Sequence, residues 1–164
     1  MKSTRNFGFS LLEVVIYTAM VGVIMLGVIT LAYVTLDVRG KVRASIILQE
    51  NYRFALNRAT MIVNQAEDIT FPLNGATGTE LILAMKEPAL DPTIINTQDG
   101  VVYLQQGLGQ PAALTSVEVD VQNFSIERAS TTAPMVRIVI SGRLRDSHSS
   151  YPDLTVTSTA VVRK

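Results

Sequence analysis

From Phe9 to Leu36 the chain runs for 28 residues with one charged position, Glu13. As a helix rising 1.5 Å per residue, that segment is about 42 Å long, more than the ~30 Å hydrocarbon core of a bilayer. The apolar region of a secretory signal peptide is only about 7–15 residues long. The run is also apolar on every face, whereas a helix on the surface of a small soluble domain keeps one polar side. No comparable stretch follows. The pattern predicts a single membrane anchor.

Beyond Leu36 the periodicity changes. Leu48, Tyr52, Ala55, Leu56, Ala59, Ile62, Val63 and Ala66 recur at spacings of three and four, which gathers them on one helix face. Gln49, Glu50, Arg53, Asn57, Thr60 and Asn64 fall elsewhere on the wheel. No proline occurs before Pro72, so one helix from about Phe9 to about Ile69 is predicted, with Gly40 as its soft point. The turn-forming stretch Phe71–Gly78 closes it.

Strand patterns fill the remainder. Leu81, Leu83 and Met85 alternate with other residues. Thr93–Asn96 and Val101–Gln105 flank an Asp99-Gly100 turn and read as a hairpin. Val117, Val119 and Val121 alternate, then the phase slips by one to Phe124 and Ile126, which predicts a bulge near Gln122-Asn123. Val136, Ile138 and Ile140 form another strand, and Leu154, Val156, Ser158, Ala160 and Val162 the last. A long helix followed by antiparallel strands is an α+β pattern. The predicted organisation is residues 1–8, an apolar helix over 9–36, and a soluble domain over 37–164.

Composition narrows the function. Lys plus Arg equals Asp plus Glu at 14 each, so no basic field favours nucleic acid. The absence of cysteine excludes a disulfide framework, an iron–sulfur cluster and a thiolate zinc site. A single histidine, His148, leaves no histidine pair for a metal. Neither an enzyme nor a cofactor is expected. Lys2 and Arg5 precede the apolar run while Arg39, Lys41 and Arg43 follow it, so charge leaves the orientation open.

Glu13 stands out. A carboxylate deep in a bilayer costs on the order of 2.5–3.5 kcal/mol on insertion scales. Two readings follow from its position. Glu13 sits at the headgroups at little cost, or it meets a cation in an assembled state. Cleavage after Gly8 would create such a cation, the α-amino group of Phe9.

Gly8-Phe9-Ser10-Leu11-Leu12-Glu13, behind a short leader with Lys2 and Arg5, resembles the type III signal of type IV pilins and type II secretion pseudopilins. The resemblance implies that a prepilin peptidase cuts between Gly8 and Phe9 and that Phe9 is N-methylated. It assigns Glu13 to recruitment into a filament. It implies a pilin-like fold, the second half of the long helix packing on an antiparallel sheet. It places the protein in the cytoplasmic membrane as a single pass, with the C-terminal domain outside the cytoplasm and other pilins or pseudopilins as partners. Gln49-Glu50-Asn51-Tyr52-Arg53-Phe54-Ala55-Leu56 is similar to the corresponding segment of minor pilins and of J-like and W-like minor pseudopilins. The missing C-terminal disulfide and the absence of a proline in the apolar half also point to a minor subunit. The alternative is a single-pass anchored adhesin or DNA-uptake binding protein that joins no filament.

Three other groupings were weighed. His148 with Ser147, Ser149, Ser150, Asp146 and Asp153 crowds a triad's residue types onto one loop, without partners brought in by a fold. Glu87, Asp91 and Asp99 lack the dense oxygen ligands of a calcium loop. Arg137, Arg143, Arg145 and Arg163 alternate as the wet face of a sheet does. Tyr17 and Tyr33 read as interface or packing residues.

Overall fold

The computed structural model describes residues 10–129, 134–145 and 153–163. The chain is α+β. Among the described residues one α-helix, α1 (Leu11–Gln65), precedes nine antiparallel strands and one short 3-10 turn, Pro88–Leu90. Two compact units divide at Gly40/Lys41, inside α1. Gly40 itself is helical.

In the first unit the described residues are helical from Leu11 onward. The Ser10 carbonyl accepts the first amides, from Glu13 at 3.0 Å and Val14 at 3.3 Å. Three hydroxyls in the apolar run return to carbonyls one turn back. Thr18 donates to Val14 at 3.0 Å, Thr30 to Leu26 at 2.9 Å and Thr35 to Leu31 at 2.7 Å. These bonds leave the hydroxyls satisfied without water, which lipid requires.

In the second unit α1 buries Ala44, Leu48, Tyr52, Ala55, Leu56, Ala59, Ile62 and Val63. This is the face that the three-four spacing predicts. Each large apolar side chain there contributes roughly 1.5–3 kcal/mol by leaving water, more than any difference in helix propensity. Packing therefore holds this half of the helix.

The strands form two sheets rather than one. The first joins β1 (Ala66–Phe71), β3 (Glu80–Met85), β4 (Thr93–Gln98), β5 (Val101–Gln106) and β6 (Ala112–Ala113), in that order. The second joins β2 (Thr77–Gly78), β7 (Val119–Arg128), β8 (Met135–Leu144) and β9 (Leu154–Val161). Both contribute to one core with the helix. Leu81, Leu83, Ile95, Val102 and Leu104 come from the first sheet, and Val119, Ile126, Val136, Ile138 and Ile140 from the second.

The hairpin forms as predicted. β4 and β5 are joined by Asp99 (φ 51°) and Gly100 (φ 75°), two positive-φ residues that match the right-handed twist of the flanking strands. The predicted bulge is present as a register shift between Val121 and Asn123. The strand itself starts at Val119, and Val117 is exposed.

The helix ends earlier than its pattern suggests. Residues 66–71 are strand β1, not a last helical turn. Ala66 and Ile69 are both buried, three apart, which mimics helical spacing. The mimicry has a local cause. Register shifts fall between Ala66 and Asp68 and between Ile69 and Phe71, so the inward positions of β1 do not recur every second residue.

Two sets of contacts tie the sheets together. At the hairpin, the Val121 amide donates to the Gly100 carbonyl at 2.8 Å and the Arg145 guanidinium to the Asp99 carbonyl. Toward the other end of β7, Arg128 donates to the carbonyls of Ile69 and Pro72 and lies 3.4 Å from the Asp68 carboxylate. Its side chain is 16% exposed, so these bonds are largely sheltered. Arg128→Met keeps the apolar stem but leaves those carbonyls without their donor, at a cost of about 1.5–3 kcal/mol. Urea unfolding checks this. Arg128→Lys recovers only part of the loss, because an ammonium cannot present the planar fork.

Candidate functional site

Glu13 lies in the first turn of α1, exposed, with Leu12, Ile16 and Tyr17 around it on the helix surface. The helix N-terminus carries the positive end of the macrodipole, and a carboxylate in this turn is stabilised there. Gly8 and Phe9, the predicted cleavage and methylation positions, lie outside the described residues, as do Asp146, Ser147, His148, Ser149 and Ser150.

The surface that carries Glu13 is apolar on all sides. Leu12, Val15, Met20, Ile24, Leu31 and Val38 are all half or more exposed. No residue from 11 to 39 is buried. One helix is thus long and apolar enough to cross a membrane. Tyr17 and Tyr33 are exposed with it. Gly22 and Gly27 present open space, where an added Cβ meets nothing within 4 Å.

The second unit carries an apolar stripe of its own. In the second unit Ile46, Phe54 and Met61 are exposed at 50%, 60% and 42%. At about 100° per residue they lie roughly opposite the buried face centred on Leu48, Tyr52 and Ala59. They lie off the face that the three-four spacing of the core marks. Their spacings of eight and seven were visible as a second stripe, diluted by Glu50, Arg53 and Asn57.

On the core side of the same helix segment, Tyr52 is fully buried, and its hydroxyl has no hydrogen-bond partner among the described residues. Burial, and after it the carboxylates of Asp120 and Asp153, push its ionisation well above the usual tyrosine range. One helix turn is bound to a loop. The Asn51 amide donates to the Ile47 carbonyl at 2.9 Å and its oxygen accepts from the Ser116 amide at 2.8 Å.

The remaining groupings separate. Asp91 accepts from the Met85 amide at 2.9 Å, and no cluster of three metal-ligating side chains occurs among the described residues. Arg137 lies 3.5 Å from Glu127, Arg143 is paired in register with Asp120, and Arg145 is bound to the hairpin turn. Three of the four strip arginines therefore have acidic or carbonyl neighbours. The chain matches no family model, no curated protein and no solved structure.

Proposed function

We propose that the chain is a non-enzymatic, membrane-anchored structural subunit of the type IV pilin or pseudopilin kind, released from residues 1–8 by a prepilin peptidase and assembled through its N-terminal helix. The observation that carries the reading is the division of labour along α1. Residues 11–38 offer lipid or other helices an apolar surface on every side, while residues 44–63 are fixed to a folded domain. Such a helix is equally at home in lipid and among like helices, so transfer between the two exposes little apolar surface to water.

Two further features support a helical bundle as the destination. Within the second unit, Ile46, Phe54 and Met61 form an exposed apolar stripe that its own core leaves uncovered. Gly22 and Gly27 each cost about 1 kcal/mol relative to alanine in a helix interior, and no contact among the described residues requires them. Small residues of this kind permit close approach of a neighbouring helix.

Cleavage is tested by intact-mass spectrometry of protein extracted from membranes of cells with an active prepilin peptidase. The expected product starts at Phe9 and carries one methyl group. It loses Lys2 and Arg5, so 14 basic residues become 12 against 14 acidic ones, a net charge of −2. A mass that retains residues 1–8 rejects the reading.

A further inference from the structure

The chain passes from β1 of the first sheet to β2 of the second through the turn Leu73-Asn74-Gly75-Ala76. The Ala76 amide closes the turn by donating to the Leu73 carbonyl at 2.9 Å. Gly75 takes φ 76°, which a residue without a Cβ adopts at no steric cost. Asn74 and Gly75 are both exposed. Each of the other asparagines in the chain is followed by a residue that has a side chain.

That difference matters chemically. The Cγ of an asparagine is an electrophilic amide carbon, placed so that attack by the next backbone nitrogen closes a five-membered ring. A side chain on the next residue shields that nitrogen, and glycine leaves it open. Here the nitrogen is also engaged. The Gly75 amide donates to the Arg128 carbonyl at 3.1 Å, and the Arg128 amide to the Ala76 carbonyl at 3.0 Å. These bonds extend the pairing of β2 with β7, which covers only Thr77 with Glu127 and Gly78 with Ile126. So short a ladder, beside an exposed turn, opens locally at far lower cost than the domain unfolds. The Arg128 guanidinium fastens the stretch just before the turn, through the carbonyls of Ile69 and Pro72.

We propose that Asn74 is a site of spontaneous deamidation, gated by release of the Gly75 amide from β7. Once released, the Gly75 nitrogen attacks Cγ of Asn74. The N–Cγ bond forms and the Cγ–Nδ2 bond breaks, and Nδ2 leaves as ammonia with the proton that the Gly75 nitrogen gives up. Water then opens the cyclic imide at either carbonyl. Opening at Cγ yields aspartate, and opening at the main-chain carbon yields isoaspartate, whose backbone runs through Cβ and Cγ. The sum is asparagine plus water to aspartate plus ammonia, with no oxidant or cofactor. The product turn carries a new carboxylate, and in the iso form its main chain is one methylene longer. Gly75 and Ala76 then no longer meet Arg128 as their two bonds require, and the crossover between the sheets loosens. The chemistry is independent of how α1 is processed or assembled.

The full chain in detergent, incubated at mildly alkaline pH in heavy-oxygen water and then digested for mass spectrometry, tests this. A synthetic peptide of residues 71–79 runs alongside as the ungated reference. The segment around the turn is expected to exchange one amide for a hydroxyl that carries the solvent's heavy oxygen, with fragmentation placing isoaspartate at position 74. Conversion in the folded chain is at least tenfold slower than in the peptide. Arg128→Met frees the stretch before the turn and speeds conversion at least threefold, at a temperature where circular dichroism shows the variant folded. Asn74→Gln, which would need a six-membered ring, leaves the segment unmodified. An unmodified Asn74 after the peptide has fully converted overturns the proposal, as does conversion of another asparagine at an equal or faster rate. A folded chain that converts as fast as the peptide, or a rate unmoved by Arg128→Met, overturns the gate.

Discussion

Gly142→Ala lowers the stability of the folded unit by about 3 kcal/mol or more, at the upper end of what overpacking costs. An added Cβ at this position falls 2.0 Å from the Asp120 carbonyl oxygen, 2.8 Å from the Tyr52 hydroxyl and 2.9 Å from the Gln122 amide nitrogen. Two of these neighbours are backbone atoms of β7 at its bulge, so no rotamer change relieves the contact. β8 and β7 must move apart where Gly142 pairs with Val121. In a unit of this size the midpoint of thermal unfolding falls by about 10 °C or more. Tyr52→Phe separates the contributions. Alone it is near neutral or stabilising, because it removes a buried hydroxyl that has no partner among the described residues. Combined with Gly142→Ala it fails to restore stability, because the carbonyl contact remains. Circular dichroism melts of the four proteins give the comparison, and a Gly142→Ala midpoint within 2 °C of the parent rejects the account.

On the proposed function, Glu13→Leu is expected to reduce incorporation of the subunit into filaments at least tenfold, while membrane insertion and cleavage after Gly8 proceed. Glu13 occupies the first turn of α1, exposed amid apolar neighbours. On the proposed function, assembly into a helical bundle would pair its carboxylate with the amino group of Phe9 on a neighbouring subunit. Removal of one member leaves the other charge buried alone, a loss of about 3–5 kcal/mol for a well-buried pair. Glu13→Gln behaves in the same direction, since it keeps the shape and loses the charge. A residue that merely rested among headgroups gives the opposite result, silence for Gln and improved insertion for Leu. The ratio of each variant in sheared filaments to that in the membrane pool is the measurement. A parental ratio for Glu13→Leu ends the recruitment role.

The parts of the fold legible in the sequence are those where one periodicity acts alone. The face of Leu48, Tyr52, Ala59 and Ile62 was readable because a helix packed on one side repeats at three and four. The Asp99-Gly100 turn was readable because few residue pairs accept two positive φ angles. The slip after Val121 exposed its bulge. What misled was superposition. Bulged β1 continues the phase of the helix it follows, and the outward stripe of Ile46, Phe54 and Met61 is interrupted by charged residues. The division of the strands into two sheets could not be read at all. It rests on which strands pair across long stretches of sequence, such as β2 with β7, and such pairings leave no local pattern. At the candidate site the sequence marked Glu13. The unused space at Gly22 and Gly27 needed coordinates.

Strand β1 begins at Ala66, the residue directly after the last helical residue, Gln65. No slack lies between them. Tension applied along the second half of α1 is delivered to a strand that is already zipped to β3 and fastened by Arg128 to the other sheet. To yield, the helix must slide its whole row of buried side chains past both sheets at once, because no loop is available to pay out. The same junction that hid the end of the helix in the sequence thus leaves the domain no slack at its helical end.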